Sequence, residues 1–317
     1  MNAQGETVIG LPPGIGDIHW VMIKMESFKK KNNITKIKAV MNLDMKGRMP
    51  EHPMFLSGSK HDYSLEFLKL VPFINSAETT EEKIPFEYAL AGGSGNPLII
   101  GKDGYDYLIE FNSSLENCIK LADILPEYEP NWDYPLFEPI DSKRRAENLR
   151  DNIGGKIVLL FTSSKGGNEN WAKQYWTIND WMALARKIYE ETKCKPVLVG
   201  ATWDDDYTNQ LFELDKERIL YNIVGKTTVA DLFAIIREAS VLVSFNCGLV
   251  NMATKFKVPV ACFWSIKSET AKDGVFKRDF TKSWLPPWAE DVGYTAFGFG
   301  DEDATPDGLF STIRKYL

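Results

Sequence analysis

Apolar and polar stretches alternate along the chain in a strand–helix rhythm, which is clearest in residues 241–265. Residues 241–245 (VLVSF) form a continuous apolar run, as expected of a strand that is buried on both faces of a parallel sheet. A turn and a short helix over 249–256 follow, and 260–264 (VACFW) is a second apolar run. A strand that ends at a helix N-terminus presents backbone amides to an anion. We therefore expect a ligand site at this junction.

The N-terminal residues show the same rhythm. A strand is predicted over 7–11, a helix over 18–31 and a second strand over 37–43, with a glycine-containing loop between the first two. Such a β-loop-α-β opening predicts a parallel sheet. Residues 75–104 show no clear pattern, and the proline-rich residues 126–139 predict an extended segment at the end of the first domain.

The second half repeats the α/β pattern, which predicts an α/β fold with two parallel-sheet domains. A polar helix over 141–153 ends at Gly154-Gly155. We place the junction there, so that the first domain spans 1–140 and the second 141–305. A final helix over 306–317 is expected to be able to pack back on the first domain. A cleft between two such domains is the default position for a ligand.

Composition and charge narrow the classes of function. The net charge is −7, and 13 Lys and Arg stand against 20 Asp and Glu in residues 1–139, so the first half carries the whole acidic excess. This charge pattern disfavours nucleic acid as a partner, although a local basic groove stays compatible with it. The four cysteines form no metal or redox pattern, which is typical of reduced thiols.

The N-terminus has no signal-peptide pattern, and no apolar run approaches the ~20 residues of a membrane span. We therefore expect a cytoplasmic protein. Peripheral contact with a membrane surface remains compatible with the sequence.

The loop Gly14-Ile15-Gly16-Asp17 lies between the first strand and the first helix. It is not a dinucleotide fingerprint, because G-x-G-x-x-G requires glycine at the position of His19. Gly14 and Gly16 nevertheless allow the backbone to approach a ligand closely. Asp17 is either a helix-capping acid or a functional acid at the helix N-terminus.

Polar residues also follow the predicted strands of the second domain. Ser163, Ser164 and Lys165 come after the strand at 157–161, and Lys173 lies eight residues beyond Lys165. Hydroxyls and lysines at the carboxyl end of a parallel strand suit a diphosphate, whereas the alternative is a solvated loop.

Two further loops line the same expected cleft. Gly200 precedes the acidic run that begins at Asp204, which suits either dipole-favoured acids at a helix start or a contact with a ribose hydroxyl. Thr227 and Thr228 follow Gly225 in a segment that is not a P-loop, because position 220 is Leu220.

Other catalytic and metal patterns are missing from the sequence. His19, His52 and His61 have no metal-ligand spacing, and no G-x-S-x-G motif is present. We therefore expect no metal and no hydrolase triad.

Four segments together resemble the ADP-heptose:lipopolysaccharide heptosyltransferase-like glycosyltransferases. Residues 14–29 are similar to the family's glycine-glycine-aspartate loop and first helix. Residues 162–188 are similar to the stretch with a lysine and two tryptophans, and 224–244 to the G-K-T helix. Residues 245–265 resemble the D-[ST]-G-x-x-H turn with its helix and strand. The resemblance implies a GT-B fold of two Rossmann-like domains that face a central cleft.

The turn departs from the family pattern at three side chains. Asn246 replaces the acid, Cys247 the Ser or Thr, and Asn251 the His, while Gly248 is kept. Backbone amides remain, so phosphate binding can survive these changes. The sugar and its nucleotide do not follow from the resemblance.

The resemblance implies an inverting, metal-independent glycosyltransferase with a nucleotide diphospho-sugar as donor and no further cofactor. The acceptor is expected to be a glycan or glycolipid hydroxyl bound on the first domain. Asp17 is the implied catalytic base, and Lys173 the implied stabiliser of the leaving phosphate. The other implied contacts are donor and phosphate binding by Gly14, Gly16, Ser163, Ser164, Lys165, Asn246, Cys247, Gly248 and Asn251, and nucleoside binding by Gly200, Asp204, Thr227 and Thr228.

Three alternatives remain open at this point. A sugar-nucleotide epimerase has the same architecture and needs no acceptor. A glycosyltransferase of modified DNA bases would need a basic acceptor face, which the acidic first half disfavours. A non-catalytic nucleotide-sugar-binding protein is favoured by the altered turn.

Overall fold

The computed structural model describes residues 6–11, 14–42, 61–80, 98–102, 105–109, 127–163, 176–264, 285–298 and 301–317. The described chain forms two compact units, one ending at Phe137 and the other beginning at Glu138. None of the described helices is long and apolar enough to cross a lipid bilayer.

The first unit contains a five-stranded sheet in the order β3-β2-β1-β5-β4. β1 pairs in parallel with β2 and β5, β2 pairs in parallel with β3, and β4 is antiparallel to β5. Its elements are β1 (Thr7–Leu11), α1 (Ile15–Lys31), β2 (Ile37–Asn42), α2 (His61–Lys69), β3 (Ser76–Thr80), β4 (Leu98–Lys102) and β5 (Tyr105–Ile109).

The helix α1 follows β1 after a short loop and carries the residues of most interest in this unit. Its apolar stripe, which includes Ile18, Met22 and Phe28, is buried, as the sequence pattern predicts. Three lysines occupy its last turn, where positive charge is favoured by the helix dipole. The helix begins at Ile15, three residues before the predicted start, so Asp17 lies inside its first turn.

The second unit contains a six-stranded parallel sheet in the order β11-β10-β9-β6-β7-β8. Its elements are α3 (Ile140–Ile153), β6 (Ile157–Phe161), α4 (Ile178–Thr192), β7 (Val197–Leu198), α5 (Asp205–Leu214), β8 (Tyr221–Asn222), α6 (Val229–Arg237), β9 (Ala239–Phe245), α7 (Gly248–Lys255), β10 (Val260–Trp264), β11 (Tyr294–Gly298) and α8 (Pro306–Ile313), with short 3₁₀ turns at Thr202–Asp204 and Arg314–Tyr316.

Aromatic side chains fill the core of the second unit on one face of its sheet. The ring of Trp176 lies 4.5 Å from that of Phe263, and Trp181 packs edge-on against Phe245 at 5.6 Å. Phe297 of β11 extends the cluster, with its ring 6.0 Å from Phe263. Edge-on and tilted ring pairs at these distances add to the stabilisation from burial itself.

The final helix packs on the second unit, and the expectation that it can also pack back on the first domain stays a prediction. Leu309 and Ile313 of α8 are buried in the core that contains Trp181. Lys187 of α4 forms an ion pair with Asp307 at 2.5 Å. The apolar face of α8 is buried by this packing, and burial is what stabilises a short helix.

Two ion pairs connect α3 with α6 on the surface of the second unit. Arg145 donates to the Asp231 carboxylate at 2.7 and 2.8 Å, and Arg150 donates to Glu238 at 2.8 Å. α3 ends at Gly154 in the left-handed conformation with φ of 106°, as the sequence predicts for a helix C-cap.

Candidate functional site

The carboxyl edge of the second sheet collects residues from four separate segments. β9, β6, β7 and β8 are neighbours in this order and run parallel, so the loops after them lie side by side. These loops carry Ser163, the segments 200–204 and 225–228, and the turn Asn246–Gly248. Ligands of open α/β sheets bind outside the carboxyl ends of the strands. This edge is therefore the candidate ligand site of the unit.

The turn after β9 leads directly into the helix α7. Asn246 is exposed, and its backbone N–H donates to the Phe263 carbonyl at 3.2 Å, which ties the turn to β10. α7 begins at Gly248, and its first amides point away from the helix towards any anion at this edge. Asn251 lies in the same helix, four positions into it, and is buried.

Cys247 is the residue that precedes the first turn of α7. Its Sγ atom lies 3.4 Å from the Ser244 hydroxyl and makes no cap hydrogen bond. Burial raises the pKa of the Cys247 thiol above its ordinary value, and the nearby negative charge of Asp204 adds to this. Interactions of the thiol with the Ser244 hydroxyl and with the backbone amides of Leu249 and Val250 lower its pKa, but by less than burial raises it. The side chain is therefore a neutral thiol at neutral pH.

Ser163 follows β6 and is buried, with 3% of its surface exposed. Its Oγ atom has no hydrogen-bond partner within the part of the chain that the structure describes. Phe161 is paired with Ser244 in the sheet, and Ser163 and Asn246 each follow two residues later, in the loops that leave these neighbouring strands. A buried hydroxyl without a partner is costly, and a ligand that accepts its hydrogen bond removes this cost.

The loop after β7 is built around Asp204. Only 2% of this residue is exposed, and its carboxylate accepts a hydrogen bond from the Ala201 N–H at 2.8 Å. Gly200 has φ of 157°, and a Cβ atom there would lie 2.9 Å from Asp204 Oδ2. Asp204 thus holds its own loop together. The predicted contact with a ribose hydroxyl stays a prediction, and it would require the carboxylate to give up part of this burial.

The loop after β8 packs on the loop after β7. The Gly225 N–H donates to the Gly200 carbonyl at 3.0 Å. Gly225 has φ of 67°, and a Cβ there would lie 2.9 Å from Thr202 Cγ2, so both the backbone conformation and the space favour glycine. The hydroxyl of Thr228 caps α6 by accepting from the Asp231 N–H at 3.1 Å, whereas Thr227 is partly exposed at the same edge. Thr228 is the more exposed of the two threonines, although its hydroxyl already accepts the cap hydrogen bond.

In the first unit, the loop after β1 places Asp17 in the first turn of α1. Gly14 is the N-cap residue and provides no capping side chain. The Asp17 carboxylate reaches back over Gly14, and Oδ2 lies 2.6 Å from the position of a Cβ atom at residue 14. Asp17 and Gly16 are both partly exposed. The carboxylate therefore lies at the positive end of the α1 dipole at the carboxyl edge of the first sheet.

Several predicted site residues lie outside the described residues. These are Ser164, Lys165 and Lys173. Among the residues that the structure does describe, no three His, Cys, Asp or Glu side chains are grouped so as to hold a metal ion.

Ser244 is the site residue that the sequence analysis missed. Its hydroxyl is fully buried, lies beside Cys247, and donates to the Phe245 carbonyl at 2.5 Å. The signal was present, because Ser244 is the one polar residue in the apolar run of 241–245.

Two α/β units of this kind, each with its loops gathered at the carboxyl edge of a mainly parallel sheet, define the GT-B class of fold, as predicted. The fold is similar to that of E. coli ADP-heptose lps heptosyltransferase II, with a TM-score of 0.63 at 13% identity over 98% of both chains. It is also similar to a glycosyl transferase family 9 protein from Veillonella parvula, with a TM-score of 0.57 at 11% identity over 98% of this chain and 90% of the other.

A third similar structure is that of E. coli heptosyltransferase WaaC with ADP-2-deoxy-2-fluoro heptose. Its TM-score is 0.52 at 9% identity, over 98% of this chain and 100% of the other. No protein-family model matches the sequence, and no curated protein does so. The resemblance noted in the sequence is thus confirmed at the level of the fold over nearly the whole chain.

Proposed function

We propose that the protein is an inverting glycosyltransferase that moves a sugar from a nucleotide diphospho-sugar to an acceptor hydroxyl of a glycan or glycolipid. The observation that carries the proposal is the carboxyl edge of the second sheet. There the buried Ser163 hydroxyl, without a partner among the described residues, lies in the loop after β6, and the turn that opens α7 follows the neighbouring strand β9. Hydroxyl and amide donors at this edge suit the diphosphate of a donor.

The reaction assigns different tasks to the two units. Asp17 accepts the proton of the acceptor hydroxyl while the acceptor oxygen attacks the anomeric carbon. The bond from that carbon to the diphosphate oxygen breaks, and the nucleoside diphosphate leaves with both electrons. A single displacement from the opposite face inverts the configuration of the sugar.

Hydrogen-bond donors stabilise the charge that develops on the leaving diphosphate. We assign this task to Ser163, Ser164, Lys173 and the first amides of α7. Each charge-assisted hydrogen bond contributes about 1.5–3 kcal/mol. These groups do the work that a divalent cation performs elsewhere, so the proposed transfer is independent of metal ions.

A substitution of the proposed base tests the mechanism. Asp17→Asn keeps the shape of the side chain and removes its basicity, so transfer should fall by about 10²–10⁴-fold while nucleotide binding is unchanged. Transfer at a near-normal rate in this variant would refute the role of Asp17. Loss of activity in EDTA that Mg²⁺ or Mn²⁺ restores would refute metal independence.

The donor is identified by a thermal-shift screen over nucleoside diphosphates and their sugars. A ligand present at 100 times its Kd stabilises the folded state by about 2.7 kcal/mol, so the correct nucleotide raises the melting temperature. Products formed without any acceptor would indicate the epimerase instead.

A non-catalytic nucleotide-sugar-binding protein is the second candidate. The position of the Asp17 carboxylate over Gly14, at the N-terminus of α1, favours it, because the same position suits an acid that only stabilises the helix. In that case Asp17→Asn lowers the melting temperature, and no pairing of donor and acceptor gives a product.

A further inference from the structure

An irregular segment of the first unit runs antiparallel along α1, from its C-terminal end back to His19. We call residues 127–134 the strap. Its order along the chain is the reverse of the order of its partners on α1, so contacts advance from the last turn of the helix to its beginning. The contacts are Lys31 Nζ donating to the Glu127 carbonyl, Asn32 Nδ2 donating to the Tyr128 hydroxyl at 3.1 Å, the Glu129 N–H donating to Ser27 Oγ at 3.1 Å, the Asn131 N–H donating to the Ile23 carbonyl at 2.6 Å, and a hydrogen bond between His19 Nδ1 and the Tyr134 hydroxyl at 2.8 Å.

The His19–Tyr134 hydrogen bond is the contact of the strap nearest the start of α1. Each of the two residues is only 1% exposed, and their ring centroids are 5.6 Å apart. The ring of Tyr134 also packs edge-on against Phe73 at 6.4 Å. Water does not compete for this hydrogen bond, so the pair is fixed in a single arrangement.

The first turn of α1 has little local stability of its own. Gly14 lacks a capping side chain, which costs a helix a few tenths of a kcal/mol, and Gly16 is a weaker helix former than alanine, by up to ~1 kcal/mol in a helix interior. The first backbone hydrogen bond of the helix runs from the Ile18 N–H to the Gly14 carbonyl at 2.8 Å. This turn therefore depends on packing and on contacts that hold the next turn in place.

We propose that His19 and Tyr134 are positioning residues for Asp17. The proposal rests on the proposed function, in which the Asp17 carboxylate is the base. Residues two apart in a helix are separated by about 200° around the axis, so Asp17 and His19 face different directions. The strap acts through the backbone: it fixes His19, and His19 fixes the preceding turn that carries the carboxylate.

The two tyrosines of the strap offer a matched pair of variants. Tyr134→Phe removes the hydroxyl that bonds to His19 at the start of α1. Tyr128→Phe removes the hydroxyl that bonds to Asn32 at the opposite end of the same helix. Both changes delete one oxygen from a buried ring on one segment, and melting temperatures of the two variants measure the difference in their costs to global stability.

Amide hydrogen exchange and transfer kinetics are measured on both variants of the full chain. Tyr134→Phe should speed exchange of the Ile18 amide by roughly 5–10-fold and lower kcat by a similar factor, while KM for the donor stays unchanged. Tyr128→Phe should leave the Ile18 amide and kcat at wild-type values. A general loss of packing would not produce this difference between the variants.

Equal exchange of the Ile18 amide in the two variants overturns the proposal, and so does faster exchange in Tyr134→Phe without a fall in kcat. An active Asp17→Asn variant overturns the proposed base instead. Exchange at Ile18 then still decides whether the strap orders the first turn of α1.

Discussion

The carboxylate of Asp17 occupies the space that a side chain at Gly14 would need, since Oδ2 lies 2.6 Å from the position of a Cβ atom on Gly14. The φ angle of Gly14 is −83°, which any residue can adopt. Glycine is therefore required here for space and not for backbone conformation. The position of the proposed base therefore depends on the absence of a side chain at residue 14.

Replacing Gly14 with alanine should displace the Asp17 carboxylate. We expect Gly14→Ala to reduce transfer by about 10-fold or more, because a misplaced base loses much of its contribution, and to lower the free energy of unfolding by about 1–3 kcal/mol. Chemical denaturation and initial rates provide the two measurements. When Asp17 is also replaced with alanine, the carboxylate that clashes with the new Cβ atom is gone, so Gly14→Ala should no longer lower the free energy of unfolding. A loss that persists in that background would mean that the collision is not its cause.

Removing the Ser163 hydroxyl should affect stability and binding in opposite ways. Ser163→Ala deletes a buried group that has no partner among the described residues, so the melting temperature of the free protein should stay the same or rise slightly. The affinity for the nucleotide should fall by about 10-fold, as measured by calorimetry.

The neighbouring hydroxyl provides the control for Ser163. Thr162 Oγ1 lies 3.5 Å from Thr208 Oγ1 in the interior. Thr162→Val should lower the melting temperature and leave affinity unchanged. Unchanged affinity in Ser163→Ala would remove Ser163 from the donor site.

The thiol of Cys247 should react slowly with alkylating reagents. The pKa of this thiol is raised, chiefly by burial, so the reactive thiolate is scarce near neutral pH. We expect the midpoint of its rate–pH profile to lie above the ~8.5 of a free thiol. Mass mapping after iodoacetamide treatment gives the rate at this site.

A bound nucleotide should slow the alkylation of Cys247 further, because it covers the start of α7. Cys194 and Cys262 are buried in the core and serve as controls that react only when the protein unfolds. A rate at Cys247 that is independent of nucleotide would place the ligand elsewhere.

The Asp231 carboxylate should make stability depend on pH in the acid range. Burial acts to raise its pKa, but hydrogen bonds from Ser142, Arg145 and Thr228 and the charge of Arg145 outweigh it, so the pKa lies below its ordinary value. The stabilisation is therefore complete above the unfolded pKa of about 3.9 and is lost as the pH falls through the folded value. Asp231→Asn should lower the free energy of unfolding by about 1–3 kcal/mol at pH 7, and the difference should shrink below about pH 4.

The second ion pair between the same two helices is the comparison for Asp231. Both partners of Arg150–Glu238 are substantially exposed, so Glu238→Gln should cost only about 0–1 kcal/mol, and added salt should reduce that cost. An equal cost for the two substitutions would show that burial and the additional hydrogen bonds of Asp231 do not matter.

Local patterns predicted the second sheet well. Residues 241–245 and 260–264 are β9 and β10, and the turn between β9 and α7 lies where the sequence placed it. These elements could be predicted because strands buried on both faces are apolar throughout, and their ends are marked by glycine and polar residues. The start of α4 is marked in the same way, by a capping box that Thr177 forms with Asp180.

Edge strands and long-range contacts could not be predicted in this way. β3 has the sequence SAETT and lies at the edge of its sheet, where one side needs no apolar partner, so its pattern resembles a loop. The burial of Asp204 depends on a backbone N–H three residues earlier and has no hydrophobic signature. The His19–Tyr134 bond joins residues 115 positions apart. Nothing local in the sequence indicates such a pairing.

The contacts between the strap and α1 also constrain the number of residues in the strap. From His19 to Lys31 the helix rises by about 18 Å, and the strap from 127 to 134 spans at most about 23 Å when fully extended. The strap would still span this distance after the loss of one residue, but either a deletion or an insertion would put every later contact out of step with its partner on α1. We therefore expect sequences that diverged from this one to vary in the identity of these residues but to preserve the number of residues between Glu127 and Tyr134.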